Sequence, residues 1–138
     1  MSLHPQSLRG RPSSGLSGDI DYRLARNAVV SDLKRGRMSR LDVCDAQPEL
    51  LRAARNVGTS TGEDCPICEE AKVVLVSFAF GPRLPASGRC LATEQELARL
   101  SRRASELACY VVEVCPECAW NHLAKSFPLG GGRRAAKA

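Results

Sequence analysis

Long apolar runs are absent from this chain of 138 residues. No segment approaches the ~18 consecutive apolar residues of a membrane-spanning helix. The opening stretch, MSLHPQSLRGRPSSGLSG, carries no apolar core of the kind a secretory signal peptide has. The expectation is a cytoplasmic protein with no membrane attachment. Aromatics are also scarce, at three Phe, two Tyr and one Trp. A core built mainly from Leu, Val and Ala is modest, and a metal or covalent staple would help it. Common catalytic signatures are missing: there is no phosphate-binding P-loop, no GxSxG, no HExxH and no paired-carboxylate pattern. Nothing in the residues argues for an enzyme.

Cysteine, by contrast, is abundant, with seven in the chain. In a reducing compartment a cysteine framework reads as metal binding or catalysis rather than disulfides, and an odd count points the same way. Two segments stand out, CPIC at 65–68 and CPEC at 115–118. Thiolates at i and i+3 in a tight turn can share one metal, and zinc prefers four ligands in a tetrahedron. Cys65, Cys68, Cys115 and Cys118 are therefore the expected ligands of one structural Zn²⁺, in a zinc-ribbon arrangement. Iron would accept the same thiolates. A CPxC pair also resembles a glutaredoxin-type redox dithiol, but two such pairs flanked by strands favour one shared metal. Glu69 and Ala119 follow the second cysteines, where glycine often supplies a positive φ. His122 is expected to be a bystander or alternate ligand, and Trp120 a cover on the metal hairpin. Cys44, Cys90 and Cys109 sit among apolar neighbours and read as small core side chains.

The rest of the chain predicts an α+β fold: a small N-terminal three-helix unit, then an antiparallel zinc-ribbon-like sheet with an inserted helix. Residues 1–18, rich in Ser, Gly, Pro and Arg, read as a disordered arm, and 130–138 as a disordered basic tail. Tyr22, Ala25, Val29 and Leu33 share one helical face, with Gly36 as the stop. Ser39 and Asp42 resemble a capping box for a short helix burying Leu41 and Cys44. Pro48 opens a third helix that ends at Gly58. The segment 19–58 thus has the outline of a helix-turn-helix. After a linker, VGTSTGED, the ribbon spans 59–129. KVVLVSFAF, RCLA, CYVVEVC and WNHLAKSF read as strands. A second capping box, Thr93 with Glu96, opens a helix through EQELARLSRRASELA, with Leu97, Leu100, Ala104 and Leu107 as its stripe.

Lys and Arg outnumber Asp and Glu by 20 to 15, giving a net charge of +5. The excess lies toward the N-terminal half, where Lys34, Arg35, Arg37 and Arg40 cluster after the first helix and Arg52 and Arg55 face outward from the third. These six are the candidate contacts to nucleic acid or to an acidic protein surface.

The run DYRLARNAVVSDLKRGRMSRLDVCDAQPELLRAARNVG, followed by CPIC and YVVEVCPECAWNHL, resembles a family of short actinobacterial proteins of unknown function. The resemblance spans about residues 19 to 129 and implies an intracellular protein with a zinc-ribbon-like half. It implies no activity. The expected function is therefore a non-enzymatic zinc-ribbon adaptor or regulator. It would dock on nucleic acid or on the transcription or translation machinery. The alternatives are a thiol redox protein or sensor using the CPxC pairs, and a protein–protein scaffold without nucleic-acid contact.

Overall fold

The structure, a computed structural model, describes residues 18–131. The arm expected over 1–18 and the tail expected over 130–138 lie almost wholly outside them. The described chain runs β1 (Ile20–Asp21), α1 (Arg23–Lys34), α2 (Arg40–Val43), α3 (Pro48–Val57), β2 (Thr59–Asp64), β3 (Lys72–Phe80), β4 (Arg89–Leu91), α4 (Glu94–Ser101), β5 (Glu106–Val114) and β6 (Asn121–Gly130). Six antiparallel strands form one sheet in the order β1-β6-β5-β3-β2, with β4 also paired to β3. With four helices, this is an α+β fold.

The central strands are apolar nearly throughout because both sheet faces are covered. On one face Val76, Phe78, Tyr110, Val112, Val114 and Leu123 pack against Leu50 and Ala54 of α3. On the other, Ala79, Leu107, Cys109 and Leu129 pack under Leu100 of α4. α3 lies on this sheet through Leu50 and Ala54, while Val30 of α1 and Val43 of α2 pack in a separate cluster with Cys65, Val73, Cys115 and Trp120. Gly58, where α3 ends, has ordinary extended geometry. What requires glycine there is space, because a Cβ would meet the Ala54 carbonyl oxygen at 2.5 Å and Val74 Cγ2 at 2.6 Å.

Several expectations shift. The stretch read as a linker contains β2, whose six residues are all exposed. An edge strand with no buried face shows no alternation, and its pairing with β3 is a tertiary effect. The helix expected through residue 108 stops at Ser101, and Glu106 already begins β5. Leu107 is buried as expected, but on a strand opposite Leu129. Pairing on both sides, with β3 and β6, overrides the local helix preference of ASELA. In α1 the inward face is rotated: Val30 is buried and Ala25 exposed. In α2 Leu41 is 85% exposed while Val43 is fully buried. The two cap signals hold, with Ser39 N–H donating to Asp42 Oδ2 at 2.9 Å and Glu96 N–H to Thr93 Oγ1 at 3.2 Å.

One buried polar group ties α1 to the sheet. Glu113, on β5, accepts from Arg26 Nε at 3.2 Å and Arg26 Nη2 at 2.9 Å, and from the Trp120 indole N–H at 3.0 Å. A fork-to-fork pair of this kind orients both side chains, and removing one partner strands the other away from water. Glu113→Ala is expected to cost about 3 kcal/mol of folding stability, read as a shift in the denaturation midpoint. Glu113→Gln, which keeps one acceptor, should cost less. A loss within the ~1 kcal/mol typical of an exposed pair would show that the contact is not structural.

Candidate metal centre

Both CPxC segments are turns at the same end of the sheet. The first joins β2 to β3 and the second joins β5 to β6; β3 and β5 run antiparallel as neighbours, pairing Val74 with Val114. The start of one strand therefore lies beside the end of the other, and the turns face each other. Their internal bonding repeats. Glu69 N–H donates to the Cys65 carbonyl and Ala119 N–H to the Cys115 carbonyl, each at 3.0 Å. Ile67 N–H points to Cys65 Sγ and Cys118 N–H to Cys115 Sγ, each at 3.4 Å. The residues after the second cysteines have φ of 60° at Glu69 and 73° at Ala119. The turns thus use the left-handed conformation with side chains in glycine's usual place.

The four sulfurs of Cys65, Cys68, Cys115 and Cys118 all lie within 4.8 Å of one another. Cys65 to Cys118 and Cys68 to Cys115 are each 3.7 Å apart. A tetrahedron with metal–sulfur bonds of 2.3 Å has edges of about 3.8 Å. The donor set and its spacing therefore fit a metal ion. Around it, Val30, Val43, Val73 and Trp120 form an apolar wall. Trp120 is fully buried, as its reading as a cover requires. His122 is buried too, stacks on Trp120 at 6.0 Å between ring centroids, and its Nδ1 bonds the Leu123 carbonyl at 2.8 Å. It is outside the four-sulfur group.

As free thiols, Cys65, Cys68 and Cys118 differ. Burial pushes Cys65 up to about 11 and also raises Cys118. Burial works against the Cys68 thiolate as well, but the N–H groups of Glu70 and Ala71 outweigh it and bring that thiol down to about 7. A metal ion would strip the protons from the whole set, so loading the site releases protons. Outside the cluster, burial raises Cys109 to about 12 and also raises Cys90, in keeping with inert core thiols.

Cys44 does more than its expected role. It packs half-buried against the apolar cluster, and its thiol donates to Cys118 Sγ at 3.6 Å. No spacing signal in the sequence couples residue 44 to residue 118. The contact arises because the segment after α2 is bonded to the second turn, Ala46 N–H to the Ala119 carbonyl at 3.1 Å and Asn121 Nδ2 to Asp45 Oδ1 at 3.0 Å.

The six candidate cations are all exposed. Lys34, Arg35, Arg37 and Arg40 line the corner between α1 and α2, where Arg37 is 3.5 Å from Asp32. Two of the six reach the metal turns. Arg55 Nη2 donates to the Pro116 carbonyl at 3.0 Å, and Arg40 is close enough to Cys44 and Cys118 for those groups to hold its proton more firmly. Arg55, expected only to face outward from the third helix, is exposed but also touches the second turn.

The positive φ at Ala119 carries a penalty of about 1 kcal/mol relative to glycine. Ala119→Gly should raise the stability of the metal-loaded protein by about that amount, measured by chemical denaturation. A loss of stability would show that this residue does not hold the left-handed turn.

Among the described residues no helix is long and apolar enough to cross a membrane. No solved structure matches the chain. It is 45% identical over 116 residues to uncharacterized protein Rv0049 of Mycobacterium tuberculosis and to uncharacterized protein Mb0050 of Mycobacterium bovis, covering 84% of this chain and 85% of each relative. The family of unknown function DUF5318 matches residues 17–138. The chain, with its two cysteine turns inside the matched span, belongs to DUF5318.

Proposed function

We propose that this protein is a non-enzymatic zinc-ribbon adaptor whose metal centre is structural and whose basic corner docks on nucleic acid or on the transcription or translation machinery of the cytoplasm. The observation that carries the reading is the closed four-sulfur set, with contacts of 3.7 Å between its two turns. Four thiolates fill a tetrahedral zinc and leave no position for water or substrate, whereas a catalytic zinc keeps one open. Zinc is the ion of choice because it accepts four thiolates without redox chemistry of its own. The ion would fasten the β2–β3 turn to the β5–β6 turn, and so fix the α1–α2 corner that carries the cations.

Purified protein should contain one zinc per chain. Cys65→Ser, Cys68→Ser, Cys115→Ser and Cys118→Ser should each lose the metal and much of the folded population, because binding and folding are coupled at such sites. Cys90→Ser and Cys109→Ser should keep it. Metal-free protein whose four thiols cycle through disulfides would favour the redox alternative instead.

The docking half is tested by binding to generic duplex DNA and to RNA across a salt series. Charge reversal at Lys34, Arg35, Arg37 and Arg52 avoids the two arginines that reach the metal turns. If these four neutralise phosphates, the log–log salt slope on duplex should lose roughly 3 to 4 on reversal, with zinc content unchanged. An absence of binding at low salt would remove nucleic acid as partner. A binding partner that survives nuclease treatment and is lost on reversal would identify a protein surface.

A further inference from the structure

Cys44 is a fifth sulfur at a four-sulfur centre, and the two residues that follow it are hydrogen-bonded beside that centre. The residues that follow it, Asp45 and Ala46, are both bonded to the second turn, through Asn121 Nδ2 and the Ala119 carbonyl. On the opposite flank Arg55 binds the Pro116 carbonyl. The 3.6 Å between Cys44 and Cys118 is thus set by a bonded scaffold. A disulfide bond is about 2.05 Å long, so the two sulfurs need to close by only about 1.5 Å, within reach of a side-chain rotation. Cys65 is almost as near Cys118, at 3.7 Å, yet it is a member of the four-sulfur set and would be engaged by the metal. Cys44 is not. It is half-buried, as are Cys68 and Cys118, while Cys65 and Cys115 are buried.

We propose that Cys44 makes the metal centre an oxidant-sensitive switch. This rests on the metal reading above. A hydroperoxide, ROOH, transfers one oxygen to the Cys44 sulfur; the O–O bond breaks, Cys44 becomes a sulfenic acid and ROH departs. The Cys118 sulfur, a metal-held thiolate, then attacks the Cys44 sulfur. The S–S bond forms, the S–O bond breaks, and hydroxide leaves and takes a proton to become water. The two electrons that reduce the peroxide come from the two sulfurs. Cys118 has left the metal, three thiolates remain, and the ion dissociates. The β5–β6 turn is then tied to the α2 segment and no longer to the β2–β3 turn. A dithiol reductant reverses the disulfide by exchange and restores the fourth ligand.

The test uses the full chain with its metal content measured before oxidation. Hydrogen peroxide is added, ion release is followed with a chromogenic chelator, and disulfides are mapped by mass spectrometry after alkylation. The first disulfide should join Cys44 to Cys118, with one ion released per disulfide formed and rebinding after reduction. Release from Cys44→Ser, which should still bind one ion, should be roughly tenfold slower or more. Release at the wild-type rate from that variant, a first disulfide confined to the four ligands, or no disulfide under peroxide would each overturn the switch and leave the metal site standing. Protein that carries no metal at the outset overturns both. Should the variant fail to fold, the disulfide map of the unmodified chain decides alone.

Discussion

Two turns, each too small to hold itself, must meet at one end of a sheet. The antiparallel pairing of β3 with β5 is the constraint that brings them there, because it places the start of one strand beside the end of the other. From that single register follow the 3.7 Å contacts between Cys65 and Cys118 and between Cys68 and Cys115. The apolar wall of Val30, Val43, Val73 and Trp120 closes around the same cluster. The helices then find their places. α1 is fastened through Arg26 and Glu113, and Glu113 also takes the indole N–H of Trp120. One buried carboxylate thus connects the first helix, the central strand and the lid of the metal centre.

The physical division of labour is between a sheet that is self-sufficient at one end and dependent at the other. Toward α4 the sheet buries Leu100, Leu107, Cys109 and Leu129, an ordinary apolar core. Toward the turns, six exposed residues of β2 contribute no core at all. The apolar burial at that end comes instead from Val30, Val43, Val73 and Trp120, packed directly around the cysteines. Four thiolates drawn to one cation would add a further tie at that end, which is why the proposed function treats the ion as part of the fold. The segment after α2, through Asp45 and Ala46, and α3, through Arg55, are bonded to the second turn and the start of β6.

Much of this was legible in the sequence, and the reasons are local. CPIC and CPEC fix ligand type and spacing within four residues, and the turn conformation makes Glu69 and Ala119 conspicuous for not being glycine; both adopt the positive φ the turn needs. The long strand β3 and the two capping boxes were readable because their signals are contained in contiguous residues. What was illegible depends on distant partners. β2 has no buried face, so only β3 makes it a strand. The end of α4 is set by the pairing of β5 on both sides rather than by helix propensity. Leu41 and Val43 exchange roles because a four-residue helix gives no periodicity from which to tell its inner face. Cys44 packs on the apolar cluster as its neighbours suggested, but its contact with a sulfur 74 residues away leaves no local signal.

The central claim is that four cysteine sulfurs and nothing else hold one zinc ion. X-ray absorption spectroscopy at the zinc edge of the purified, metal-loaded protein tests it most directly, since it reports both the element and its first neighbours. The account predicts a zinc edge and a single shell of four sulfurs at about 2.3 Å. A shell mixing sulfur with nitrogen or oxygen at about 2.0–2.1 Å, or protein that carries no zinc, would contradict it.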